Sequence, residues 1–124
     1  MTDKPSTVEF KTDRIVCIDS LGERLHQRTN LHLFAEVIDI IAVSSRCWVK
    51  PLAIARSTPE SFQLEFLHDL RDAAQLILPT DLFRDALDTE VLPLISELFH
   101  PAPGSKRSTN AQRVLYQFIV DLYR

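Results

Sequence analysis

A helical spacing of apolar residues marks the stretch from residue 31 to residue 43. Five apolar positions share one face at this spacing: Leu31, Phe34, Ile38, Ile41 and Ala42. Glu36 and Asp39 take the other side, so the pattern predicts a helix from about Leu31 to Val43. The β-branched residues of the same stretch also suit a strand, because their restricted χ1 angles favour extended backbone.

Two further helices are predicted in the second half of the chain. Thr80 can cap a helix that begins at Asp81 and runs to Phe99. Pro93 must kink or divide this helix, because proline lacks a backbone donor and crowds the carbonyl four residues earlier. The last helix follows Asn110, and its apolar face has residues at i, i+3, i+4 and i+7: Leu115, Phe118, Ile119 and Leu122.

Strands are predicted on both sides of the first helix. Arg14–Asp19 is short and β-branched, and Arg46–Ala55 is apolar with charged residues at its flanks. The stretch Phe62–Ile77 fits either one helix face or two strands separated by a polar turn. We favour the strands, because Arg46–Ala55 needs an antiparallel neighbour and the turn-like sequence STPES can close a hairpin.

These elements predict a single α+β domain over residues 1–124, with a small antiparallel sheet packed by three or more α-helices. Residues 1–7 are expected to form a loose N-terminal leader. Residues 101–110, with the sequence PAPGSKRSTN, are the linker-like stretch before the C-terminal amphipathic helix.

The composition narrows the class of protein. The chain has 124 residues, 45% hydrophobic residues, 25% charged residues and a net charge of −3. This charge does not favour a nucleic-acid binder, which usually carries a basic stripe. No apolar run approaches the roughly 20 residues that span a bilayer. The polar segment Met1–Thr7 is unlike a signal peptide, so we expect a cytoplasmic protein without membrane contact.

The sequence contains no motif that is diagnostic of a particular reaction, metal or cofactor. Its four histidines lack the spacing of a zinc protease, and its two glycines are too few for a phosphate-binding loop. Cys17 and Cys47 lack a C-x-x-C spacing and are interpreted as buried thiols. His68 beside Asp69 could act as a general base, but a polar surface explains this pair better. We therefore predict no catalytic residue, no metal ligand and no cofactor.

A proline in the middle of an apolar strand raises the question of where that strand lies. Pro51 cannot donate to a β-ladder, so its strand is expected at a sheet edge, at a bulge or at its own end. We favour the edge, where an extended segment of a partner could add its backbone to the sheet. The predicted partner-binding residues are Arg46, Trp48, Lys50, Pro51 and Leu52. Their positive charges favour an acidic or C-terminal peptide segment, and Trp48 would form a pocket wall.

The apolar face of the last helix has two interpretations. Such a face is most often core, but this one follows a linker and could also pack against a second copy of the chain. The residues of possible self-association in a homodimer are Leu115, Phe118, Ile119 and Leu122.

Three segments carry a resemblance to known proteins: RCWVKPLAIA, HDLRDAAQLILP and LFRDALDTEVLPLI. Together they cover most of residues 46–95 and resemble small cyanobacterial accessory proteins, for which the nearest named family is the β-carboxysome assembly factor CcmS. The resemblance implies a non-enzymatic adaptor that binds the tail of a shell protein, and it assigns no site residues here.

We therefore expect a non-enzymatic interaction protein, a chaperone-like assembly or accessory factor that binds a partner peptide or tail in carboxysome or photosynthetic-complex assembly. Two alternatives stay open. One is a small-molecule-binding regulatory domain with a pocket lined by Trp48, Phe62 and Phe66, which a ligand-dependent rise in melting temperature would favour. The other is an enzyme that uses His68 and Asp69, which loss of function in His68→Ala would favour.

Overall fold

A computed structural model describes residues 14–24, 27–58, 61–100 and 110–123. In chain order its strands and α-helices are β1 (Ile15–Arg24), β2 (Gln27–Ile41), β3 (Arg46–Thr58), β4 (Ser61–Asp69), β5 (Leu76–Pro79), β6 (Arg84–Asp85), α1 (Asp88–Phe99) and α2 (Ala111–Leu122). Short 3₁₀ turns at Ala42–Ser44 and Thr80–Leu82 precede β3 and β6. The predicted leader and most of the predicted linker lie outside the described residues.

The strands form one antiparallel sheet in the order β4-β3-β2-β1-β6, in which β5 also pairs with β3. β3 lies inside this sheet, because β2 pairs along one of its sides and two strands share the other. Residues 46–49 of β3 pair with β5, and residues 53–58 pair with β4. β1 pairs with β2 and with β6, and β6 ends at Asp85, three residues before the start of α1.

One α-helix covers each face of the sheet. α2 packs Leu115 and Phe118 against strand residues of one face, here called the α2 face: Val16, Ile18, Leu33, Ala35, Val37, Cys47, Val49 and Ile54. α1 packs Leu94 and Leu98 against strand residues of the other face, here called the α1 face: Cys17, Phe34, Ala53 and Ala55. The two sets alternate along the strands because successive side chains point to opposite faces of a sheet.

The predicted balance of helix and sheet is wrong. The antiparallel sheet is present, but it has six strands, and the described residues contain two α-helices rather than three or more. The largest error is the helix predicted from Leu31 to Val43, which is strand β2. Leu33 and Ala35 on one face and Phe34 on the other are all fully buried. A strand covered on both faces is apolar at successive positions, so it can imitate a helical spacing.

The helix predicted from Asp81 is wrong in its first half. That part of the chain contains a 3₁₀ turn and then β6, which pairs with β1, and α1 begins only at Asp88. Pro93 lies inside α1 and does not divide it. The strand predictions for β1 and β3, the strand interpretation of Phe62–Ile77 and the final helix are confirmed. Neither α1 nor α2 has the length and apolar character that a bilayer crossing requires.

Candidate functional site

A group of polar side chains lies on the α1 face of the sheet beside the first turn of α1. It is here called the polar cluster, and its members come from four strands and α1: Cys17, Asp19, His32, Ser57, Arg84 and Glu90. The strand register brings them together, because Asp19 lies directly opposite His32 and Cys17 lies directly opposite Arg84.

His32 is the buried centre of the polar cluster, with 8% of its surface exposed. Its Nδ1 atom lies 2.7 Å from Oδ1 of Asp19, and its Nε2 atom lies 2.7 Å from Oγ of Ser57. A carboxylate only accepts hydrogen bonds, so Nδ1 of a neutral His32 carries the proton and Nε2 accepts the Ser57 hydroxyl proton. The imidazole therefore links β1, β2 and β3 through side chains.

Arg84 joins the two carboxylates of the polar cluster. Its Nε and Nη2 atoms donate to Asp19 at 2.6 and 3.0 Å, and its Nη1 and Nη2 atoms donate to Glu90 at 2.8 Å each. Glu90 also accepts the backbone N–H of Leu87 at 2.8 Å, which satisfies a donor at the start of α1. One guanidinium thus ties β6 to β1 and to the first turn of α1.

These contacts shift the ionisation of both carboxylates in the same direction. Burial raises the pKa of Asp19, but the hydrogen bonds from His32 and Arg84 outweigh it and hold the pKa well below its usual range. Burial likewise raises the pKa of Glu90, and the hydrogen bonds from Arg84 and Leu87 lower it overall. The same hydrogen bonds to Glu90 and Asp19 raise the pKa of Arg84 further. Both acids are therefore ionised and Arg84 is charged at neutral pH.

The Cys17 thiol is the least accessible member of the polar cluster, with no exposed surface. Its Sγ atom donates to Oδ1 of Asp19 at 3.3 Å. Burial raises the pKa of Cys17 strongly, and the neighbouring charge of Asp19 raises it further. The thiol is therefore protonated and unreactive as a free nucleophile at neutral pH.

The hydrogen bonds that run from Ser57 through His32 to Asp19 follow the same order of residue types as a serine-hydrolase triad. In such a triad the carboxylate stabilises the imidazolium that forms when histidine takes the serine proton. Here Asp19 also accepts hydrogen bonds from Arg84 at 2.6 and 3.0 Å, and only 8% of the His32 surface is exposed to a substrate. We therefore interpret the Ser57–His32–Asp19 chain as a link between strands rather than as a catalytic relay.

The predicted edge position of β3 is wrong, because β3 lies between β2 on one side and β5 and β4 on the other, although residues 50–52 have no paired residue on that second side. The proline is instead accommodated next to a β-bulge, which was one of the three positions expected for it. The register with β2 shifts by one residue between Ala35, opposite Pro51, and Phe34, opposite Ala53. Pro51 is fully buried, and Leu52 is half-buried against the cluster under α1. Between the segments paired with β5 and β4, the Leu52 carbonyl accepts the Leu70 backbone N–H at 2.9 Å, so β3 offers no continuous free edge to an added strand here.

The other three predicted partner-binding residues lie together on the α1 face. Arg46 and Lys50 are exposed, and Trp48 between them is half-buried. Across β5, Trp48 is paired with Ile77, whose surface is 48% exposed. These four residues, Arg46, Trp48, Lys50 and Ile77, are here called the Trp48 patch. Binding of a partner to Arg46, Trp48 and Lys50 stays a prediction, now through side chains on a sheet face.

The predicted self-association face is part of the protein's own core. Leu115 and Phe118 are buried under the sheet, and Ile119 and Leu122 pack against the same cluster. Leu115 and Phe118 are therefore used inside the chain, whereas Ile119 and Leu122 are half-buried, and self-association through this helix stays a prediction.

Two alternative sites from the sequence are not assembled by the fold. His68 pairs with Ile54 and Asp69 with Ala53, so the two side chains point to opposite faces of the sheet. Asp69 is bound instead by the Arg71 guanidinium at 2.7 Å. Phe66 lies opposite Ala55, seven positions along β3 from Trp48 and roughly 20 Å away at strand spacing. Trp48 and Phe66 do not line one pocket, and the side chain of Phe62 lies outside the described residues.

Sequence reasoning missed the whole polar cluster. The helix predicted from Leu31 to Val43 contains His32, and a helical assignment gives no strand register between His32 and Asp19. One signal was present: His32 is a lone polar residue inside the apolar run LHLFA. A buried polar side chain needs a hydrogen-bond partner, so this residue indicated a buried polar contact somewhere in the fold.

No protein-family model, no curated protein and no solved structure matches this chain.

Proposed function

We propose that this protein is a non-enzymatic interaction protein, an assembly or accessory factor that binds a segment of a partner protein through the Trp48 patch. The observation that carries the proposal is the position of Trp48 and Ile77. They lie opposite each other on β3 and β5, yet neither packs into the cluster under α1 or the cluster under α2. An apolar pair outside the core is a surface that a partner can cover.

Trp48 is suited to act as an anchor because the protein already holds it in place. Its indole N–H donates to the side-chain oxygen of Gln75 at 3.0 Å. A side chain fixed before binding loses little conformational entropy on binding, so more of its contact energy appears as affinity. Tryptophan is also among the residues that most often dominate binding energy at interfaces.

The charges around Trp48 favour an acidic group in the partner. Arg46 and Lys50 are exposed, and neither forms a salt bridge with another residue in the part of the chain that the structure describes. Glu36 lies opposite Lys50 and Asp39 opposite Trp48, so β2 supplies negative charge to one side of the patch. Arg46 has apolar cross-strand neighbours, and an acidic side chain or a terminal carboxylate would bind best near Arg46.

The partner segment would lie across the face of the sheet. β3 has no unpaired edge at this point, so affinity would come from side-chain contacts rather than from an added strand. If the resemblance to the CcmS family extends to function, this segment is the tail of a carboxysome shell protein.

Affinity purification from the source cells with three forms of the protein tests the proposal. The forms are wild type, Trp48→Ala and a matched control, Tyr116→Ala, whose aromatic side chain is 68% exposed on α2. We expect one partner to bind wild type and Tyr116→Ala. Titration with that partner should give a dissociation constant about 30-fold higher for Trp48→Ala, the equivalent of about 2 kcal/mol. The melting temperature should fall by less than loss of a buried core aromatic would cause.

Charge reversal provides an independent test of the same surface. Arg46→Glu should slow association with the partner, and the effect should shrink as salt increases. Arg113→Glu, an exposed position on α2, is the control and should leave the association rate unchanged. If the partner binds Trp48→Ala and Arg46→Glu as tightly as it binds wild type, the Trp48 patch is not the binding site. Failure to retain any partner would argue against the function itself.

A further inference from the structure

Three metal-ligating atoms converge in the polar cluster. Sγ of Cys17, a carboxylate oxygen of Asp19 and a ring nitrogen of His32 all lie within 4.8 Å of one another. Cys17 and Asp19 are two residues apart on β1 and so share one face, and His32 lies opposite Asp19 on β2. We propose that these three side chains form a binding site for one divalent transition-metal ion, with zinc as the ion that fits best.

Two of the three distances between donor atoms can be compared with those of a tetrahedral zinc site, and the third, from Cys17 to His32, is within 4.8 Å. With zinc bonds of about 2.3 Å to sulfur and about 2.0 Å to nitrogen and oxygen, adjacent ligand atoms lie roughly 3.3–3.6 Å apart. Sγ of Cys17 is already 3.3 Å from Oδ1 of Asp19. Nδ1 of His32 lies 2.7 Å from the same oxygen, so this pair must open by about 0.6 Å to reach the tetrahedral spacing.

The neighbouring side chains are placed as supports for these ligands. Metal-binding histidines usually donate their second ring N–H to a fixed acceptor, and Nε2 of His32 lies 2.7 Å from Oγ of Ser57. Ligating carboxylates are usually held by hydrogen bonds, and Nε of Arg84 donates to Oδ2 of Asp19 at 2.6 Å. This second oxygen is held by Arg84, which leaves Oδ1 to face the ion. Nη2 of Arg84 can release Oδ1 and keep its bond to Glu90.

The charges of the polar cluster balance a divalent cation. Without metal, the two carboxylates of Asp19 and Glu90 and the Arg84 guanidinium sum to one negative charge. On binding, the thiol of Cys17 loses its proton to solvent and becomes the thiolate ligand. In a neutral His32 the ring proton moves to Nε2, so the ring releases no proton. The cluster then carries two negative charges, which the ion neutralises.

The burial of the three ligands indicates the path by which an ion would enter, and their chemistry indicates which ion would bind. Asp19 is the open side, with 44% of its side chain exposed, whereas the side chain of His32 is 10% exposed and Cys17 is fully buried. An ion would enter past Asp19 and retain water as its fourth ligand. Thiolate and imidazole ligands select zinc and related ions over calcium and magnesium.

Cobalt titration of the reduced, metal-free chain tests this site directly. We expect the wild type to bind one Co²⁺ with a thiolate-to-cobalt charge-transfer band and tetrahedral visible bands, and zinc to displace it. Calorimetry in two buffers should show release of one proton per zinc ion. These wild-type measurements decide the proposal even where a variant does not fold.

Variants locate the ion. Cys17→Ser and Asp19→Asn should lose the tetrahedral cobalt spectrum, whereas Cys47→Ser should keep it, because Cys47 is the buried thiol of the α2 face. Ser57→Ala should weaken zinc binding by about 10–100-fold, the usual effect of losing the hydrogen-bond partner of a histidine ligand. Absence of a thiolate band in wild type, or a band that depends on Cys47 and not on Cys17, overturns the proposal. A zinc affinity unchanged in Ser57→Ala overturns the assigned role of His32.

Discussion

Replacement of Arg84 by methionine should lower the free energy of unfolding by about 2 kcal/mol. Methionine keeps the length of the side chain and removes its charge and all five donors. The Arg84 guanidinium connects β6, β1 and the first turn of α1 through Asp19 and Glu90. The substitution therefore separates the effect of this connection from the effect of side-chain volume.

The magnitude follows from the burial of the carboxylates that the substitution leaves behind. Glu90 has only 13% of its side chain exposed and would keep the Leu87 backbone N–H as its hydrogen-bond donor. Asp19 is 44% exposed and would keep His32. Loss of one partner of a fully buried pair costs about 3–5 kcal/mol, and exposed pairs contribute about 0–1 kcal/mol. A half-buried network lies between these limits, and 2 kcal/mol corresponds to roughly 8 °C in melting temperature for a chain of this size.

The assay is urea unfolding followed by circular dichroism, in a buffer that contains a metal chelator. Arg56→Met is the matched control, because Arg56 pairs with Glu65 and the two side chains are 41% and 62% exposed. It should cost less than about 1 kcal/mol. The double variant Arg84→Met/Glu90→Gln should recover part of the lost free energy of unfolding, because the neutral glutamine side chain needs no positively charged partner. An equal cost for Arg84→Met and Arg56→Met would refute the reasoning.

Three further predictions concern acid stability, the core and the absence of catalysis. The pKa of Glu90 is lowered from its ordinary value of 4.5, so its stabilisation is complete above that pH and is lost as the pH falls through the folded-state pKa. Acid unfolding, followed by circular dichroism, should therefore be steeper in wild type than in Arg84→Met. Leu115→Ala should cost about 2–5 kcal/mol in urea unfolding, because Leu115 is 1% exposed, whereas Tyr116→Ala next to it should cost about 0.5 kcal/mol or less. Wild type and Ser57→Ala should hydrolyse 4-nitrophenyl acetate at the same rate, and a faster wild-type rate would indicate that the Ser57 hydroxyl is activated.

The sequence by itself determined those elements whose pattern of apolar and polar residues fits only one type of secondary structure. Leu115 and Phe118 recur at helical spacing between polar positions, and they form the buried face of α2. Pro51 limited its strand to an edge, an end or a bulge, because these are the places where a missing backbone donor is tolerated. The choice among the three needed the register of β2 against β3, which is a contact between separate parts of the chain.

Only the tertiary structure decided that residues 31–41 are a strand. Their apolar pattern arises because α1 covers one face of β2 and α2 the other, and neither helix adjoins β2 in sequence. The polar cluster depends on the same arrangement: His32 is 13 residues from Asp19 and 25 from Ser57, and Arg84 is 65 from Asp19. Local spacing carries no information on such pairs, because strand register is set by which faces are buried and by where the turns fall.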